Sequence, residues 1–225
     1  MTTEEASPVE LPANGRGERR WPMAVAVLAT AVLHQLLPGT FRIQPHTVYP
    51  VVIVIFLAVL IIGDPGRMDR RRPWLRVTTG LMIGLITVVN GFSAIRLVFG
   101  ILNHGSIGSA RELLGIGAIV WTINVIAFAL WFWDLDAGGA AARAAGAKQP
   151  SPAWVFPEMT LPEYTPPGWY PQFADYLSLS FNTATAFGPT DVSAVKRWAK
   201  MMMTAESAIS LSVVVLVVSR AINLL

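Results

Sequence analysis

The chain has 225 residues, of which 53% are hydrophobic and only 14% charged, with a mean hydropathy of +0.52. A water-soluble domain of this length carries more charge on its surface, so the balance excludes that class and points to the membrane. The formal charge of +3 does not indicate nucleic acid as a partner, because the 17 Lys and Arg stand at the ends of apolar runs, and the absence of cysteine excludes disulfides, thiolate metal sites and thiol catalysis.

Residues 1–20, MTTEEASPVELPANGRGERR, are acidic first and basic last and read as a disordered cytoplasmic lead-in. They are too long and too acidic for the n-region of a signal peptide, and no small-residue cleavage site ends the next apolar run. A bilayer core about 30 Å thick takes roughly 20 helical residues to cross. Five stretches qualify: Trp21 to Pro38, Thr47 to Gly63, Leu75 to Leu102, Glu112 to Trp133 and Ala199 to Leu224. Their Val and Ile would favour strands in water. In lipid an uninterrupted apolar run satisfies its backbone only as a helix, since barrel strands alternate polar with apolar. The expected fold is therefore all-α, a polytopic transmembrane bundle, with residues 21–133 supplying four spans.

Residues 134–172 form the long region that does not cross. It opens with small residues from Ala137 to Ala147, read as a flexible or frayed helix end, and continues through PSPAWVFPEMTLPEYTPPGWYPQ. The prolines from Pro150 to Pro171 exclude helix and ladder and favour an extended path. Trp154, Phe156, Tyr164, Trp169 and Tyr170 suit a loop lying on the membrane surface or on the bundle. A short helix from Phe173 to Phe187 comes next, too short and too rich in Ser, Thr and Asn to span.

The basic residues are divided unequally between the two sides. Arg16, Arg19, Arg20, Arg67, Arg70, Arg71, Arg72, Arg76, Arg143, Lys148, Lys196, Arg197 and Lys200 fall on one side of such a bundle, and Arg42 and Arg111 on the other. Arg96 and Arg220 lie within helices. This bias predicts a cytoplasmic N-terminus, five crossings and a C-terminus outside, in a multi-pass protein of the cell inner (plasma) membrane.

Residues 173–225, FADYLSLSFNTATAFGPTDVSAVKRWAKMMMTAESAISLSVVVLVVSRAINLL, resemble the pore helix, filter and last helix of two-transmembrane potassium channels, whose filter closes on G-Y-G-D. Without gaps, Thr183 and Thr185 fall on filter threonines, Gly188 on the first glycine and Asp191 on the aspartate. Phe187 lies inside the filter-like stretch, and Glu206 and Arg220 fall where related bacterial channels carry a glutamate and a late arginine. The segment also resembles the TAF-x-PTD ending of an uncharacterised group of bacterial multi-span membrane proteins, which implies membrane residence. The resemblance implies a re-entrant pore segment, monovalent cations as partners and a homo-oligomer, a tetramer if it is a channel. Two positions depart from the pattern: Pro189 replaces the tyrosine and Thr190 the second glycine, and a proline fixes its φ where a carbonyl ladder needs freedom. Channel loops of that family also enter from outside, whereas the charge bias puts this one on the cytoplasmic side. The residues alone equally permit a short re-entrant or interfacial helix stopped by Gly188-Pro189, with Asp191 capping the next element.

Glu206 is the deepest charge, roughly 14 Å along its helix from Arg197 at 1.5 Å per residue. Such a residue is a functional candidate or a carboxyl hydrogen-bonded between helices. Thr204, Ser207, Ser210 and Ser212 beside it suit close packing or a polar pathway. Arg96 and Arg220 are placed to snorkel, or to pair with a buried acid. Asn90 and Asn124 are expected to bond between helices, and Gly80-Leu-Met-Ile-Gly84 fits a helix-contact motif. The Arg67 to Arg76 cluster can anchor topology or hold anionic headgroups. His34, His46 and His104 lack metal-ligand spacing, and no nucleophile elbow or phosphate loop is present, so neither metal, cofactor nor enzyme activity is expected. The function expected is an ion-channel-like membrane protein. The alternative is a non-conducting accessory protein that binds a partner through its Pro-rich loop.

Overall fold

The structure, a computed structural model, describes residues 17–68, 72–103, 109–144, 151–185 and 191–224. These residues form α1 (Trp21–Leu36), α2 (Val48–Gly63), α3 (Pro73–Leu102), α4 (Ala110–Leu135), α5 (Ala140–Ala144), β1 (Trp154–Val155), α6 (Phe173–Thr185), β2 (Ser193–Ala194) and α7 (Arg197–Ile222). The protein is mostly helical. α3, α7 and α4 with the 3-10 turn after it are long and apolar enough to cross a membrane. α1 and α2 have 16 residues each, a rise of about 24 Å, which is short of the full core.

Local chemistry explains the boundaries. α3 starts on Pro73, whose fixed φ suits the first turn and whose missing N–H is not needed there. α4 starts on a Ser109 side chain that accepts from the Glu112 amide. α2 and α7 are apolar on most sides, which leaves their ends to be set by polar flanks rather than by an amphipathic face.

α4 lies at the centre, packed against α1, α3, α6 and α7. α4 and α7 approach closely at Gly117, where an added Cβ would meet Val217 at 2.8 Å. Trp131 Nε1 donates to Thr87 Oγ1 across α4 and α3 at 2.9 Å, and Thr30 shares a 3.1 Å bond with the Tyr49 hydroxyl across α1 and α2. Large apolar side chains such as Ile62, Val88, Phe99 and Ile222 point outward on α2, α3 and α7. A rim of that kind is normal against lipid and abnormal against water.

The basic loops meet at one end of the bundle. Arg19 bridges Arg67, the Arg20 amide donates to the Gly66 carbonyl, and the Met68 amide donates to the Glu18 carbonyl. Residues 17–20, grouped by composition with the lead-in, are thus folded onto the bundle. Two further expectations need correction. The Pro-rich region does make a ladder, with β1 antiparallel to β2, and Pro157 and Pro162 each open a 3-10 turn. Proline fits the first position of such turns, and β1 sits in a gap between prolines. The small-residue stretch is ordered from Ala137 through Ala144, because Arg143 is buried and anchors it.

Candidate functional site

α6 begins at the basic end, where the Phe173 amide donates to Glu18 Oε1 at 2.6 Å. From there it descends beside α4 and α7. Ser180 reaches the Val125 carbonyl at 2.7 Å, Phe181 meets the Trp121 ring edge-on at 5.7 Å, and the Thr183 carbonyl accepts from Ser207 at 2.9 Å. Val125 lies ten residues before Leu135, roughly 15 Å inside the bundle at the helical rise. By Ser193 the chain is again at the basic end, paired with β1.

Glu206 holds the centre of this unit. It is fully buried between α4, α6 and α7, its Oε1 contacts the Ser180 hydroxyl, and its Oε2 has no hydrogen-bond partner among the described residues. Ser180 has one proton for two acceptors, the Val125 carbonyl and Glu206. Both contacts are hydrogen bonds when the Glu206 carboxyl carries its own proton and donates it. One turn further along α7, Ser210 accepts from Asn124 Nδ2 at 3.1 Å. The small and hydroxylated residues of α7 therefore fall on two faces. Glu206 and Ser210 are buried, with Ser207 half-buried beside them. Thr204 and Ser212 are exposed, each bonded back to its own helix at the Lys200 and Ala208 carbonyls.

Thr183 and Thr185 occupy the last turn of α6, their hydroxyls donating to the Leu179 and Asn182 carbonyls. Thr183 is buried, Thr185 half-buried and Asp191 exposed. Phe187, Gly188, Pro189 and Thr190 lie outside the described residues, as do Arg16, Arg70, Arg71, His104 and Lys148. Arg96 donates to the Thr40 carbonyl at 2.6 Å and stacks 4.3 Å from the Phe92 ring centre. Arg220 is half-buried in the last turn of α7, where a cation suits the helix dipole. Neither arginine is ion-paired with Glu206. Asn90 is buried with its Oδ1 unpartnered among the described residues, and His34 is buried with its ring edge against Tyr49. Within the chain Gly80 and Gly84 meet nothing within 4 Å, whereas Gly117 on α4 meets Val217 closely.

A second polar cluster, absent from the candidates named by sequence, fixes the mouth of the unit. Arg143 Nη1 donates to the Trp133 and Asp136 carbonyls at 2.8 Å, and its guanidinium lies 4.9 Å from the Tyr176 ring centre. Asp136 accepts from the Ala153 amide and the Tyr176 hydroxyl, each at 2.6 Å. Glu18 accepts from Trp133 Nε1 at 2.8 Å as well as from Phe173. Burial raises the Glu18 pKa, against the pull of the Trp133 and Phe173 donors and of Arg143. In the sequence Arg143 counts only as a topology charge. The nearby Asp136 and the tyrosine at the start of α6 gave no local signal of their meeting. The aromatics Trp154, Phe156 and Tyr170 pack inward here, leaving Leu161 and Tyr164 as the exposed apolar groups of the loop.

No family model, curated protein or solved structure matches this chain. Among the described residues no group of three or more His, Cys, Asp or Glu is placed to hold a metal ion.

Proposed function

We propose that the chain is an integral membrane protein of five crossings whose α6–α7 unit forms an ion-channel-like pore segment at the axis of a homo-oligomer. The observation that carries this reading is the set of polar side chains that the single chain leaves exposed on α6 and α7. Ser178 and Asn182 on α6, and Thr204, Ser212 and Ser219 on α7, are exposed. On α7 these hydroxyls lie opposite the buried face of Glu206, Ser210, Val213 and Val217, at about 3.6 residues per turn. Re-entrant backbone and polar faces are tolerated in a bilayer where protein or water covers them, and an oligomer axis provides both. Glu206 then positions α6 against α7 rather than lining the path, and monovalent cations are the ions such hydroxyls suit.

Purified protein in liposomes should pass K⁺, Na⁺ or H⁺ down an imposed gradient, and Thr204→Leu with Ser212→Leu should lower that flux. Absence of flux for all three ions, relative to protein-free vesicles, rejects conduction. One observation favours a second reading, a non-conducting accessory protein: Leu161 and Tyr164 stand out from an otherwise packed loop, with Tyr164 82% exposed. A partner that binds there would lose affinity in Tyr164→Ala while ion flux stayed absent in every variant.

A further inference from the structure

At the basic end a cavity of about 420 Å³ opens between the α2–α3 turn and the corner where α4 passes into α5. Its floor is apolar, made by Leu60, Leu75 and Trp133, and one wall is the small-residue run from Gly138 to Ala142, which admits a group close to backbone. Arg20, Arg72 and Arg76 line it together with Asp64 and Asp134. Their roles differ. Arg20 is buried and held by Asp64, its Nε on the carbonyl at 3.1 Å and its Nη2 on the carboxylate at 3.4 Å. Arg72 and Arg76 are exposed, and among the described residues neither makes an ion pair or a side-chain hydrogen bond. Asp134 is nearly buried, within the field of Arg76. The rim therefore presents two guanidinium groups against one recessed carboxylate, an excess of one positive charge. Pro73, at the start of α3, also lines the cavity.

We propose that this cavity binds a phosphate group, and that the phosphate is the headgroup phosphate of an anionic phospholipid. Arg72 and Arg76 supply the planar donor pairs that phosphate oxygens take. The apolar lining selects the lipid over free phosphate, because glycerol and the first acyl carbons can pack on Pro73, Ala141 and Ala142, which the chain leaves partly exposed and a bare anion would leave wet. The site lies at the end that carries the basic loops, where anionic headgroups gather if that end faces the cytoplasm.

The test is native mass spectrometry of the delipidated full chain in detergent, titrated with phosphatidylglycerol and, separately, phosphatidylcholine of the same chain length. One equivalent of phosphatidylglycerol should bind at least about tenfold tighter than phosphatidylcholine, and Arg72→Gln with Arg76→Gln should remove at least about that factor, the worth of one charge-assisted hydrogen bond. Ala141→Phe fills the wall without changing charge and should weaken phosphatidylglycerol to a similar degree, whereas Arg42→Gln at the opposite end should not. Equal binding of the two lipids overturns the proposal. So does an Ala141→Phe variant that binds like the wild type, since the arginines would then act as a surface field and not as a site. Millimolar inorganic phosphate should leave the bound lipid in place; stoichiometric displacement would reassign the cavity to a free phosphate and overturn the lipid as its source.

Discussion

Single residues at the basic end hold together parts of the chain that lie far apart in sequence, and their chemistry makes specific demands. Tyr176 donates to Asp136 from a fully buried position, so Tyr176→Phe keeps the ring against Arg143 and removes one donor from a buried carboxylate. A thermal melt in detergent should show a loss of about 1–3 kcal/mol, the cost of an unsatisfied buried acceptor. Glu18 gives a pH-dependent counterpart. Its folded pKa lies above the ordinary 4.5 because burial disfavours the charged form, and the facing charges are Arg143, which lowers it, and Asp175, which raises it. The folded state therefore holds the proton more tightly than the unfolded one. The contribution of Glu18 is fully present below its ordinary value and is lost as pH rises through the folded pKa. The melting temperature of the wild type minus that of Glu18→Gln should fall as pH rises from about 4.5 to 7.5; a flat difference would contradict the burial. Glu206→Gln, which can still donate to Ser180, should keep the fold. Glu206→Ala should lower stability by about 2–4 kcal/mol through the cavity it leaves, read in the same melts.

At the scale of elements, the contact between α4 and α7 decides how the α6 unit is framed. Gly117→Ala places a methyl 2.8 Å from Val217, and overpacking of that kind costs about 1–3 kcal/mol. Gly80→Ala and Gly84→Ala meet open space, so each should be neutral or stabilising by up to about 1 kcal/mol from helix propensity. Measuring the three variants side by side separates a packed glycine from a merely repeated one. Within one chain the GxxxG spacing marks no close contact, because spacing identifies small residues on one face of a helix without saying whether another helix of the same chain meets that face. The ladder between β1 and β2 was hidden for a related reason. Its partners are separated by nearly forty residues, and the prolines around Trp154 conceal two free positions within a region hostile to strands.

For the whole molecule, the question is which end faces which compartment and how often the chain crosses. The structure gathers Arg19, Arg20, Arg67 and Arg143 at one end and puts Arg42 with Gln35 at the other. With five crossings, reporter fusions after Gly146 and after Leu225 should report opposite faces, the first cytoplasmic. A Gly146 fusion reporting outside would invert the bundle and put the start of α6 on the side from which potassium-channel pore loops enter. The two shorter helices, α1 and α2, are the ones on which that count depends. Each can complete a crossing with flanking residues or with local thinning of the bilayer.

Hydropathy by itself located the three helices long and apolar enough to cross a membrane, because in a bilayer an apolar run has only one way to satisfy its backbone. The basic residues likewise marked out the loops that share an end. Tertiary structure alone decided that Glu206 meets Ser180, that Arg143 is a buried anchor, and that Glu18 ties Trp133 to Phe173 across more than a hundred residues. Helices that are apolar on most sides carry little information about which face turns inward. A buried polar contact between distant segments depends on that rotation, which only packing sets.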